Sequence, residues 1–296
     1  MRSLLFVPAD SPRKLDKALS CGADALILDL EDSVAAGGKD GARRNALAFL
    51  REHGGDADGP RLFVRVNAID TAFSEGDLDT VMTGAPAGIV LPKAAGGVDI
   101  GVLGARLAVR EALHGLDDGA TAIVAIATET AAALFRLGTY ARSSARLAAL
   151  AWGAEDLSAS VGASATRADG AWTEPYRLAR SLCLFASAAA EVDAIDTVHA
   201  DFRDLDGLAR ECEAAARDGF AGKLAIHPDQ VPVINEAFVP SPEAVAEAER
   251  IVAAFAEAGD AGVIALNGRM LDRPHLKAAE RLLARASRIG PKADTL

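Results

Sequence analysis

The sequence predicts a (β/α)8 TIM barrel carrying a C-terminal helical extension. Short apolar, β-like runs alternate with alanine-, leucine- and arginine-rich helical stretches along most of the chain, the pattern of parallel strands joined by covering helices. Eight such runs occur, the number a barrel needs. Nearly every run also ends in a polar cluster, and in a parallel barrel those ends converge on one face, where such folds keep their chemistry. A doubly wound open sheet is the alternative. Its first strand-to-helix turn would carry a GxGxxG phosphate loop, whereas this turn reads VPADSP.

The strand candidates are SLLFVPA from Ser3, ALILDLE from Ala25, RLFVRVN from Arg61, GIVLPKA from Gly88, TAIVAIATE from Thr121, RLAALAWGAED from Arg146, AIDTVHAD from Ala194 and KLAIHP from Lys223. Between them, segments such as Val98 to His114 and Leu205 to Arg217 have helical composition. After the eighth strand Pro240-Ser241-Pro242 punctuates the chain, Glu243 to Ala258 reads as an amphipathic helix, and GVIALNGRMLDRP leads into a last helix near His275 to Ala286. A barrel closes without this segment. The expected division is therefore a catalytic domain over 1–239 and an extension over 240–296 that packs on a neighbouring subunit, with Gly290 to Leu296 as a frayed end.

The chain has 296 residues, 50% of them hydrophobic, enough for one large barrel with an appendage or for two ordinary domains. A formal net charge of -11 argues against nucleic-acid or anionic-membrane binding, so an anionic ligand needs a local basic pocket. Cys21, Cys183 and Cys212 lie far apart without CxxC spacing and read as free thiols that pack in a reducing compartment. The first residues enter a strand without the charged and apolar regions of a signal peptide, which makes a cytoplasmic location the simplest expectation.

Two acids leave consecutive strands, Glu129 after AIVAIATE and Asp156 after RLAALAWGAED. Magnesium prefers oxygen ligands, keeps several waters and takes one or two protein carboxylates, with substrate supplying the rest. Glu129 and Asp156 fit that count, and a 2-oxo or 2-hydroxy acid could chelate the same ion. Arg65 would then clamp the substrate carboxylate; its competing role is a salt bridge to Glu31 or Asp32 on the neighbouring strand. Asp156 could equally be the N-cap of the helix that follows it.

Nine segments, in order, together resemble the citrate lyase β-subunit-like proteins of the HpcH/HpaI aldolase superfamily over essentially the whole chain. They are RSLLFVPADSPRKLDKA at Arg2, GADALILDLEDSV at Gly22, VRVNAIDT at Val64, GIVLPKA at Gly88, TETA at Thr128, WGAEDLSASVG at Trp152, AIDTVHADFRDLDGL at Ala194, GFAGKLAIHPDQVPVIN at Gly219 and NGRMLDRPHLKAAERLL at Asn267. The resemblance implies a magnesium-dependent carbon–carbon lyase acting on a 3-hydroxyacyl-CoA with a terminal carboxylate, of the citramalyl-CoA or malyl-CoA type. It assigns Glu129 and Asp156 to the metal and Arg65 to the substrate carboxylate. Glu31 and Asp32 match the family's LEDSV element and would bond metal waters or Arg65. Asp272 would act as the acid/base from an adjacent subunit of a homotrimer or hexamer, although with Pro274 following it also reads as a helix N-cap. CoA would lie beside the first turn, near Phe6, Arg13, Lys14 and Lys17. The family's usual VPG-N/S turn reads VPAD here, IETA reads TETA, and the DG before the tail methionine is Asn267-Gly268.

Three other readings remain. Lys93 could form a Schiff base in a metal-free aldolase, which would leave the two acids without a role. A metal-dependent aldolase for free hydroxy-oxo acids would not need Asp272. A subunit of a citrate lyase complex would act only on a carrier-bound citryl thioester.

Overall fold

The computed structural model describes residues 1–259 and 261–289. Gly290 to Leu296, expected as a frayed end, lie outside the described residues. The chain forms two compact units, one spanning Met1–Ala237 and one beginning at Phe238.

The first unit is the expected barrel. Its strands are β1 (Ser3–Pro8), β2 (Ala25–Asp29), β3 (Arg61–Arg65), β4 (Gly88–Leu91), β5 (Ala122–Ile126), β6 (Leu147–Ala151), β7 (Asp193–Asp196) and β8 (Gly222–Ala225). All eight pair in parallel with their sequence neighbours, and β8 returns to β1 to close the ring. Each strand expected from the sequence is therefore present. Along a strand alternate residues face inward. Leu4, Ala25, Ile27, Phe63, Val90 and Leu224 accordingly meet in the barrel interior, with Phe6 partly buried against them. Gly88 exists to admit Phe63, since a Cβ there would sit 2.3 Å from the ring.

That same alternation places the site. On β2 the inward positions Ala25 and Ile27 are followed by Asp29, and on β3 Phe63 is followed by Arg65. Asp29 and Arg65 are direct register partners, so two charges share the top inward layer of adjacent strands.

The opposite, N-terminal face holds a network that serves the fold. Glu111, near the end of the helix Gly97–His114, accepts hydrogen bonds from the Gly119 and Thr121 amides at 3.0 and 2.8 Å and pairs with Arg146 at 2.7 Å. These partners stand at the entrances to β5 and β6, so one carboxylate ties a helix to two strands. Burial opposes its charge, but Arg146 and the amides outweigh burial and hold the carboxyl at about 2.

Two short antiparallel hairpins were not anticipated. Arg167–Ala168 pairs with Ala171–Trp172 around Asp169-Gly170, and in the second unit Val263–Leu266 pairs with Arg269–Asp272 around Asn267-Gly268. Both turns have consecutive positive φ, 50° and 77° in the first and 50° and 74° in the second, the geometry Asp-Gly and Asn-Gly adopt readily. Two helices accompany the second hairpin among the described residues of its unit. Pro242–Glu257 is capped by Ser241, and Arg273–Ile289 starts directly after the hairpin.

Because the Glu111 carboxyl is depressed in the folded state, its contribution is complete above the ordinary carboxylate pKa and disappears as pH falls toward about 2. Glu111→Gln is expected to lower the melting temperature at pH 7 by roughly 3–6 °C. Thermal melts at a series of pH values should show the gap between variant and parent closing between about pH 5 and pH 2.

Candidate active site

At the C-terminal mouth of the barrel, Arg65 donates from Nε and Nη2 to Asp29 at 2.7 and 2.6 Å, a bidentate ion pair. The guanidinium carbon lies 4.6 Å from the centre of the Phe6 ring, so Arg65 rests on the aromatic roof of the core. Asp29 is 1% exposed and its remaining lone pairs accept the Glu31 and Ser33 amides. Burial would raise its pKa, but Arg65 overrides burial and lowers it. On Arg65 burial works the other way, and the hydrogen bonds and charge of Asp29 keep it firmly protonated. Of the two partners expected for Arg65, only Glu31 is one: Glu31 Oε2 lies 3.1 Å from Nη1, whereas Asp32 pairs with Lys93. The principal partner is Asp29, the last residue of β2.

The loop carrying Glu31 and Asp32 is fixed from below. Buried Lys39 donates to the Leu30 and Glu31 carbonyls, both at 2.7 Å, and Asn67 donates to the Leu30 carbonyl. From above, Lys93 Nζ bonds Glu31 and reaches Asp32 Oδ2 at 3.2 Å. Burial raises the pKa of Glu31 and outweighs the nearby cations. Lys93 itself is driven upward, since the Glu31 hydrogen bond and charge overcome its partial burial. A Schiff-base lysine needs a depressed pKa and a free amine. Lys93 is instead bonded to Glu31 and Asp32, an arrangement that argues against the metal-free aldolase reading.

Glu129 and Asp156 come together as expected. Glu129 is 4% exposed, accepts a hydrogen bond from the Lys93 amide, and its carboxyl is in hydrogen-bonding contact with that of Asp156. Burial first, then Asp156, push Glu129 up to about 8. Two facing carboxyl groups in a low-dielectric pocket need a proton or a cation between them, so the donor set suits a hard divalent ion. Among the described residues no group of three or more His, Cys, Asp or Glu could enclose a metal. The pair is thus an open two-carboxylate site of the kind magnesium completes with water and substrate. The helix Glu155–Val161 has Ala154 as its N-cap, so Asp156 sits inside the first turn and its carboxylate is not spent on capping. Thr128 accepts from the Gly153 amide at 3.0 Å, tying together the turns after β5 and β6. Gly153 leaves room for Glu129, because a Cβ there would lie 2.8 Å from Glu129 Cγ.

The other expected residues are more dispersed. Arg13, Lys14 and Lys17 are exposed on the helix Pro12–Ala18, which leaves the mouth after β1. Asp272, in the second unit, is half-buried at the end of its hairpin, with Oδ1 2.5 Å from His275 Nδ1. Cys183 and Cys212 are buried packing residues as expected, while Cys21 is partly exposed. No described helix is long and apolar enough to cross a membrane.

Known proteins match the chain along most of its length. The HpcH/HpaI aldolase/citrate lyase family matches residues 2–228. A citrate lyase subunit beta-like protein of Mycobacterium tuberculosis is 38% identical over 283 residues, covering 95% of this chain and 94% of the relative. The mitochondrial citramalyl-CoA lyase of Rattus norvegicus is 31% identical over 98% of this chain and 87% of its own length. The crystal structure of CitE from M. tuberculosis in complex with magnesium, acetoacetate and coenzyme A superposes with a TM-score of 0.74 at 37% identity, covering 97% of this chain and 98% of that one. An eight-stranded parallel barrel with paired acids and an arginine at its mouth, matched along its length by these relatives, settles the classification: the chain belongs to the HpcH/HpaI aldolase/citrate lyase family.

Proposed function

We propose that this protein is a magnesium-dependent carbon–carbon lyase that cleaves a 3-hydroxyacyl-CoA with a terminal carboxylate, of the citramalyl-CoA or malyl-CoA type, to acetyl-CoA and a 2-oxo acid. The observation that carries this reading is the convergence of Glu129 and Asp156 with Arg65 at one barrel mouth. Magnesium held by Glu129 and Asp156 would supply Lewis-acid stabilisation of the negative charge on the substrate oxygens. Arg65 keeps N–H groups on Nη1 and Nη2 beyond those given to Asp29, and these grip the substrate carboxylate. Phe6 provides the apolar floor, and Arg13, Lys14 and Lys17 offer positive charge to CoA phosphates in an otherwise acidic protein. Glu31 flanks the outer edge of the guanidinium, and exposed Asp32 is placed to bond water on the ion. Asp272, as the general acid from an adjacent subunit of a homo-oligomer, protonates the thioester α-carbon after the C–C bond breaks.

The reading is tested with malyl-, β-methylmalyl- and both citramalyl-CoA isomers, assayed with magnesium and after EDTA. Cleavage of at least one, abolished by EDTA and restored by Mg²⁺, is the expected outcome. No cleavage of any, with Asp272→Asn changing nothing, overturns it, and turnover confined to a carrier-bound thioester would assign the chain to a citrate lyase complex instead. Glu129→Gln or Asp156→Asn is expected to lower kcat by about 10²–10³-fold. Gly153→Ala, which pushes Glu129 aside, should weaken Mn²⁺ binding by about tenfold in paramagnetic resonance titrations while leaving the fold intact by circular dichroism. Arg65→Lys cannot reproduce the fork on Asp29 together with the grip on substrate, and steady-state kinetics should show KM raised at least about tenfold.

A further inference from the structure

Lys93 is the residue at the mouth with the most unusual backbone and no role in the proposed chemistry. It follows β4 with φ at +52°, a left-handed conformation that a lysine adopts only at a cost. A strained residue persists where its surroundings hold it, and such residues gather at functional sites. Here the strain turns the main-chain N–H onto Glu129 and sends the side chain the other way, onto Glu31 and Asp32. One residue thereby touches both the metal pair and the acidic loop.

The charges at the mouth make that bridge consequential. Among the described residues, Asp29, Glu31 and Asp32 form their ion pairs with Arg65 and Lys93, and the charge of Lys93 also faces Glu129 and Asp156. Arg65 has already given Nε and one face of Nη2 to Asp29. Its remaining edge, Nη1 with Nη2, is the only part able to form a fork on a substrate carboxylate. Glu31 is the group that competes for that edge: Oε2 stands 3.1 Å from Nη1 yet makes no aligned hydrogen bond, while Oε1 is bonded by Lys93.

We infer that Lys93 is a positioning residue that holds Glu31 out of line for a hydrogen bond with the nearby Nη1 of Arg65 and so leaves the N–H groups of the guanidinium's outer edge to the substrate carboxylate. Without the ammonium, Glu31 would turn into line with Nη1, and the second fork of Arg65 would close on a protein carboxylate. The inference deepens the proposed function, since it rests on Arg65 being the substrate clamp.

Calorimetric titration of the Mg²⁺-loaded full chain with pyruvate tests it. Lys93→Met keeps the main-chain amide and removes the charge, and it should weaken pyruvate binding at least tenfold. The Mn²⁺ affinity, read separately by paramagnetic resonance, should change less than threefold, because Glu129 keeps its amide partner. In the double variant Lys93→Met/Glu31→Gln the competing charge is gone, and pyruvate binding should return to within threefold of the parent. A residue that served only the fold would not be rescued by a second substitution. Lys93→Arg should bind pyruvate as the parent does, and Lys93→Gln repeats the test if Lys93→Met does not fold. Unchanged pyruvate binding in the single variant, or a double variant no better than the single, overturns the inference. A parent protein that binds neither pyruvate nor oxaloacetate with Mg²⁺ overturns instead the reading of Arg65 beneath it.

Discussion

The bidentate pair between Asp29 and Arg65 is the interaction around which the mouth of this barrel is organised. It joins two adjacent strands at residues in direct register, one layer above the apolar interior. A buried pair of this kind contributes little net stability once desolvation is counted, and removing one member leaves a stranded charge. Its value here is geometric. Asp29 spends every acceptor site on Arg65 and on the amides of Glu31 and Ser33, so the carboxylate that orients the arginine also shapes the acidic loop beside it.

From that pair the site spreads across strands that are neighbours in space. Glu31 and Asp32 come from the loop after β2, Arg65 from β3, Lys93 from the turn after β4, Glu129 from the turn after β5 and Asp156 from the helix after β6. Each is held by a different device: a buried lysine under the loop, an aromatic ring under the arginine, a left-handed lysine amide on Glu129, and a threonine clasp between the last two turns. The acids after β2 are met by the cations Arg65 and Lys93, whereas the carboxyl groups of Glu129 and Asp156 face one another.

Much of this was legible in the sequence, for physical reasons that differ by residue. All eight strands were readable because each is a short apolar run ended by a polar residue. Glu129 and Asp156 stood out as acids leaving consecutive strands. Asp29 was equally visible in principle, since the inward alternation Ala25, Ile27 continues to it, but the more prominent Glu31 and Asp32 that follow drew the assignment of the Arg65 partner. The hairpins carry an Asp-Gly and an Asn-Gly turn signal, but the strands they join are only two and four residues long, too short to stand out as alternating runs. The left-handed backbone at Lys93 has no signal at all: nothing about a lysine announces a positive φ, which is imposed by what surrounds it. Gly153 announces itself only once the Glu129 side chain is known to occupy the space its missing Cβ would fill.

Phe6 has a consequence that reaches beyond the site. Its ring is packed against the interior of the barrel on one side and carries the Arg65 guanidinium on the other. The ceiling of the hydrophobic core and the platform under the Arg65 guanidinium are thus a single side chain. In most enzymes of this architecture core volume can drift by a methylene here and there while loops conserve the chemistry. In this barrel a change in packing beneath Phe6 changes the height of a charge, so the interior residues under it answer to the geometry of the mouth as well as to the packing of the core.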